Sequence, residues 1–172
     1  GSPTPVSGPN SLEIFNSSGV TGFVGAVTPQ FSDLDNTKRI RFSVYDDDDA
    51  SDLIIGTMSN PADTSTFTPY ITIPASLIDP NDTWLPLEVS FAAYTGTDQY
   101  IVFRHGMGTT FDNFYIDDFI YDDIPSCREP TALNTINITD VSATGVWESN
   151  GPGTNFILEI GAPGFTLGTG VQ

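Results

Sequence analysis

The clearest hydrophobic pattern in the chain is KRIRFSVY, residues 38–45. Ile40, Phe42 and Val44 alternate with Arg39, Arg41, Ser43 and Tyr45. A strict period of two places the first set toward a core and the second toward water, as in a half-buried strand. Shorter apolar runs recur along the chain. They are SLEIFN (11–16), GFVGAVTP (22–29), DLIIGTMS (52–59), PYITIP (69–74), TWLPLEVSFAAY (83–94), QYIVFRHG (99–106) and FDNFYIDDFIY (111–121). Gly, Pro, Asn and Asp clusters separate them, which is turn chemistry. No Ala/Leu/Glu/Lys-rich stretch has a helical period, so helices should be few and short. The pattern predicts an all-β protein built as an antiparallel sandwich. KRIRFSVY and DLIIGTMS, with the acidic residues 46–51 between them, read as a hairpin.

The run FDNFYIDDFIY carries two adjacent carboxylates in mid-strand. Regular alternation places Phe114, Ile116, Asp118 and Ile120 on one face and Tyr115, Asp117, Phe119 and Tyr121 on the other. Both faces are mostly apolar, so one carboxylate should stand among core residues. An unpaired buried carboxylate is costly and calls for a metal or a set of donors. Calcium, a hard cation that takes oxygen ligands, fits best. The plainer alternative is that both carboxylates cap the strand end or pair with Arg104.

The texture changes at DDIPSCREP (122–130), whose two prolines mark a linker over 125–130. Beyond it short β-like segments resume: TALNTINITD, SATGVWES and NFILEIGAPGF. Trp147 sits where a small sandwich places its core tryptophan. About 45 residues are too few for a seven-stranded sandwich of roughly 100, so residues 131–172 read as a partial unit. At the other end Gly1-Ser2 looks like a remnant of cloning. Residues 1–10, rich in Pro, Gly and Ser, read as a flexible lead-in.

Charge narrows the function. The 172 residues carry 22 Asp+Glu against 5 Lys+Arg, a formal net charge of -17. Such a chain is a poor partner for nucleic acid or an anionic membrane. No apolar run reaches the length of a membrane span, so membrane insertion is not expected. The single cysteine, Cys127, excludes an internal disulfide and a multi-cysteine zinc site, and reads as an isolated thiol in the linker.

Several blocks occur in a recognisable order: SGPNSLEIFNS, VTPQFSDL, KRIRFSVYDDDDASDLIIGTMSNPAD, YTGTDQYIVFRHG and FYIDDFIYDDIPSC. Residues 11–124 thereby resemble MAM-like jelly-roll domains, in particular the cleaved-adhesin and "choice-of-anchor" types of secreted Bacteroidetes proteins. The tail, CREPTALNTINITDVSATGVWES with NFILEIGAPGFTLGTG, resembles the first half of a fibronectin type III domain. The resemblance implies a jelly-roll β-sandwich followed by a partial Ig/fibronectin III-like unit. It also implies a non-catalytic role in adhesion or in glycan or protein binding at a bacterial surface. The alternative is a carbohydrate-binding module of a secreted polysaccharide-degrading enzyme. Domains of this kind usually open with a further strand before the SLEIFN-like block, and that opening is missing here. A strand from another chain or from the rest of the parent protein could fill that place.

In such domains a structural Ca2+ is often held against an Asp of the last strand. Here the matching residues are Asp117 or Asp118, with Asp112 a weaker third. The acidic run Asp46–Asp49 lacks the glycine and terminal Glu of an EF-hand loop and reads as a solvated loop. His105, the only histidine, reads as a strand-end hydrogen-bonding group, and no G-x-S-x-G motif accompanies it. For a glycan the candidates are Tyr45 with Arg41 beside it, and Trp84.

Overall fold

A computed structural model describes residues 2–17, 22–46, 51–78, 83–126, 128, 130–150, 155–166 and 168–171. The acidic residues Asp47, Asp48 and Asp49 and the thiol of Cys127 lie outside the described residues. Two units divide the chain, 1–124 and 125–172.

The first unit is an antiparallel sandwich of eight strands. They are β1 (Leu12–Asn16), β2 (Gly25–Val27), β3 (Lys38–Asp46), β4 (Leu53–Met58), β5 (Phe67–Ile73), β6 (Leu85–Ser90), β7 (Tyr100–His105) and β8 (Asp112–Asp123). One sheet runs β1-β8-β3-β6 and the other β2-β7-β4-β5. Eight strands so ordered in two facing sheets form a jelly roll. Helical structure is slight: a four-residue helix, α1 (Ala75–Ile78), and one 3₁₀ turn at Thr64–Thr66.

The expected hairpin between KRIRFSVY and DLIIGTMS does not form. β3 pairs with β6 and β8, whereas β4 pairs with β5 and β7. β3 and β4 therefore lie in different sheets. Two adjacent strands with core-facing residues can meet across a sandwich as readily as edge to edge, and the alternation alone does not distinguish these.

The alternation itself holds well. Ile40, Phe42 and Val44 are buried and join Leu53, Ile55, Ile101, Phe103, Phe114 and Ile116 in one core. Phe42 meets Phe103 edge-on at 5.0 Å, and Tyr70 stacks on Phe91 at 4.9 Å. Arg39 and Arg41 stand on the outer face, but Ser43 beside them is buried.

β8 departs from regular alternation. Arg41 pairs with Ile120 and Ser43 with Asp117, so Phe42 faces two residues, Asp118 and Phe119. Asp118 takes φ 51. This is a β-bulge, with the extra residue in the left-handed region that Asp tolerates. It reverses the faces partway along the strand. Phe114 and Ile116 point into the core before it. After it Phe119 packs edge-on against Phe103 at 5.9 Å, and Tyr121 stacks on Phe31 at 4.0 Å. The expectation that Asp118 or Asp117 stands among core residues is corrected accordingly. Asp118 is exposed and Asp117 only half-buried.

In the second unit β9 (Thr131–Ile136) pairs antiparallel with β10 (Thr144–Glu148), and the register breaks at Trp147. Trp147 is half-buried against Phe156 at 5.7 Å. NFILEIGAPGF, read above as a strand, contributes only a bridge between Ile160 and Val171. Leu133, Ile138, Val141 and Ile157 are each more than 60% exposed.

Candidate functional site

Two places in the first unit gather chemistry: a buried polar cluster at one end of the sandwich, and the outer face of the β1-β8-β3-β6 sheet.

The buried cluster is dictated by strand register. Asn16 on β1 lies opposite Asp112 on β8, and Asp46 on β3 lies opposite Phe114, two residues further along β8. Because residues 112 and 114 share a face, Asn16, Asp46 and Asp112 all point inward at the same end. Asn16 is 2% exposed and Asp46 and Asp112 are 0%. From the opposite sheet His105, also 0% exposed, brings its Nε2 within 3.5 Å of Asp112 Oδ2 and its ring within 4.9 Å of Phe114.

The histidine's chemistry is settled by its neighbours. The backbone N–H of Met107 donates to Nδ1 at 2.9 Å, so the neutral ring carries its proton on Nε2, toward Asp112. Burial pushes the imidazole below its ordinary pKa, opposed by Asp112. Nδ1 thus accepts from the backbone, and Nε2 faces Asp112 without a hydrogen bond. Ser51, also buried, accepts from the N–H groups of Gly108 and Thr109 at 2.9 and 3.3 Å, which tethers the loop after β7.

Asp112 is the unusual member. Neither of its carboxylate oxygens has a hydrogen-bond donor, and Asn16 Oδ1 has none either, its Nδ2 being spent on the carbonyl of Thr109. Buried oxygens in that state are rare, because each forfeits its hydration without replacement. Among the described residues, no three His, Cys, Asp or Glu side chains form a metal-holding group. Two carboxylates and an amide share this end of the sandwich, oxygen donors of the kind calcium takes and zinc does not.

Asp117 and Asp118, the foremost metal candidates in the sequence, are elsewhere. Asp117 Oδ2 accepts from the backbone N–H of Ser7 at 3.1 Å, and Ser7 Oγ donates to Asp118 Oδ1. The Ser7 N–H, with that of Asp118 adding to it, holds the Asp117 carboxyl below its ordinary range. They face outward, apart from Asp112. Asp112, the weakest of the three by sequence, is the buried one. Its signal was its place at the strand's start, opposite a polar residue of β1.

On the outer face, two of the three residues expected to touch a glycan, Tyr45 and Trp84, come together, while Arg41 lies four positions along β3 from Tyr45. Trp84, just before β6, lies 5.8 Å from Tyr45 on β3, and Tyr45 lies 6.1 Å from Tyr115 on β8. Arg41, two positions from Ser43 on the same strand, is 42% exposed and bonds Asp122 at 2.8 Å. Arg39 forks between Asp122 and Glu88, at 2.8 and 2.9 Å. These ion pairs lower the pKa of Asp122, Arg39 first among the causes. Beside the ion-pair lattice lies a cleft of about 350 Å³, lined by Arg41, Ser43, Pro86, Glu88, Asp118 and Ile120. Sequence reading missed the Arg39–Asp122–Glu88 lattice, which depends on cross-strand register.

No protein-family model and no curated protein sequence matches this chain. Among solved structures it is similar to two cleaved adhesin domains of Lys-gingipain from Porphyromonas gingivalis. One is 22% identical with a TM-score of 0.48, covering 67% of this chain and 73% of that one. The other is 20% identical with a TM-score of 0.45, covering 69% and 82%. It is also similar to a CBM4 structure, 12% identical with a TM-score of 0.33, covering 66% and 94%. These are likenesses of fold. No helix among the described residues is long and apolar enough to cross a membrane.

Proposed function

We propose that this chain is a non-catalytic binding module of a secreted bacterial cell-surface protein, acting in adhesion. Its ligand is a surface glycan, or a protein carrying one, held on the outer face of the β1-β8-β3-β6 sheet. Residues 131–172 continue the chain as part of a fibronectin III-like unit. The observation that carries the reading is the cleft around Arg41, where a guanidinium, two carboxylates and a hydroxyl line a shallow opening together with the apolar Pro86, Leu87 and Ile120. Sugars are met by such mixtures: planar polar groups bond the hydroxyls, and apolar side chains cover the C–H patches. A shallow cleft suits an extended polymer passing across the face.

The test is affinity electrophoresis through gels containing soluble plant, algal and bacterial polysaccharides. Retardation by one polymer, lost in Arg41→Ala while the melting temperature holds, is the expected outcome. Free migration in every polymer would sink the glycan reading. The other assignment, a carbohydrate-binding module of a polysaccharide-degrading enzyme, shares this surface, and an insoluble plant or algal polymer as sole ligand would favour it.

Within the same proposal a calcium ion bound by Asp112, Asp46 and Asn16 is structural. It would neutralise a buried carboxylate pair and tie β1, β3 and β8 together at one end, with no part in bond breaking.

A further inference from the structure

The lead-in is docked. Trp84 donates its indole Nε1–H to the carbonyl of Thr4 at 2.8 Å. Tyr115 OH reaches Ser2 Oγ at 3.5 Å. Ser7 engages Asp117 and Asp118 through its N–H and its hydroxyl. The segment Ser2–Ser7 thus meets two rings of the aromatic row, Trp84 just before β6 and Tyr115 of β8, and then Asp117 and Asp118 of β8. Its exposure alternates: Pro3 and Pro5 are half-buried, while Ser2, Thr4 and Val6 are exposed. Tyr115, although on the outer face of the sheet, is only 4% exposed.

The covalent chemistry of this segment explains the fit. Proline fixes its own φ, and it pushes the residue before it into the β or polyproline II region. Ser2-Pro3-Thr4-Pro5 therefore arrives already extended, with little conformational entropy left to lose. Polyproline II backbone makes no internal hydrogen bonds, and here the Thr4 carbonyl accepts from an indole N–H. An aromatic row with a donor at one end is what recognises an extended proline-bearing peptide.

We propose that the Trp84–Tyr45–Tyr115 row is a docking site for extended peptides with proline at alternate positions. In the chain as described, residues 3–7 fill it in cis. A short tether gives such a segment an effective concentration on the order of millimolar. A peptide from another molecule must therefore displace it. This proposal does not rest on the glycan reading, which concerns the cleft around Arg41.

The experiment uses the whole chain with Trp147→Phe, so that Trp84 is the only indole. In that protein the Trp84 indole N–H should exchange slowly with solvent. Adding Pro3→Gly and Pro5→Gly should release the segment and expose the N–H to fast exchange. The peptide SPTPVSG, titrated into the released variant to about ten times the effective tether concentration, should restore protection with a saturable shift of the indole resonance. The peptide SGTGVSG should not. Persistent slow exchange in the released variant would overturn the proposal. So would the absence of any response to SPTPVSG, or an equal response to both peptides.

Discussion

Asp112→Asn isolates the meaning of the buried cluster. The change keeps the side chain's volume and removes its charge, at a position 0% exposed where neither oxygen has a donor. An extracellular calcium site with a dissociation constant of about 0.1 mM, supplied with about 2 mM calcium, stabilises the fold by about 1.8 kcal/mol. For a domain of this size that is a rise in melting temperature of roughly 5–7 °C. The assay is a thermal melt followed by tryptophan emission, with calcium and with chelator. The parent protein should show the rise. Asp112→Asn should lose it, and in chelator it should melt no lower than the parent, since it no longer carries an uncompensated buried charge. Identical melts of the parent with and without calcium would refute the reasoning. So would an undiminished rise in Asp112→Asn, which would place the ion elsewhere.

Two further outcomes test the frame around the site. Phe114→Ala removes a 0% exposed ring that touches His105 and should cost about 3–5 kcal/mol. Urea unfolding should show the lower midpoint at an unchanged slope, and a loss under about 1 kcal/mol would mean that the ring does not close the core. Asp122→Asn bears on acid stability. Arg39, then Arg41, lowers the folded pKa of Asp122, so its contribution is present above the ordinary carboxylate pKa of about 3.9 and disappears as pH falls through the lower folded value. Melting temperatures from neutral pH down to about 2 should therefore fall less steeply for the variant, from a lower starting point. Parallel curves would show that the pair contributes nothing.

Much of the architecture was legible because a half-buried antiparallel strand writes itself as alternation. β3 is the plain case: its three inward residues are core and its two arginines are outside. What alternation leaves out is which strand lies beside which. The supposed hairpin of β3 and β4 failed on that point, since both patterns are satisfied whether two strands share a sheet or face each other across one. The same gap hid the polar cluster. Asn16, Asp46, His105 and Asp112 come from four strands, and only the register of β8 against β1 and β3, with β7 opposite, collects them. Nor does a Pro- and Ser-rich stretch announce whether it is free or docked. Flexibility was the natural reading of residues 1–10, and it gave no sign of the bonds that Thr4 and Ser7 make to Trp84 and Asp117.

The bulge at Asp118 joins these threads. Without it, the set 114, 116, 118 and 120 would continue on one face, and a carboxylate would be driven into the aromatic core near Phe103. One extra residue instead lays Phe119 edge-on against Phe103 and Tyr121 on Phe31, and turns both carboxylates out to meet Ser7. The φ of 51 at Asp118 is what such a turn requires, and a short polar side chain tolerates it where a β-branched one would not. An Asp-Asp pair in a strand of apolar residues is thus explained by backbone conformation as much as by charge. The buried acid, Asp112, sits instead at the strand's beginning, where regular alternation predicts nothing unusual.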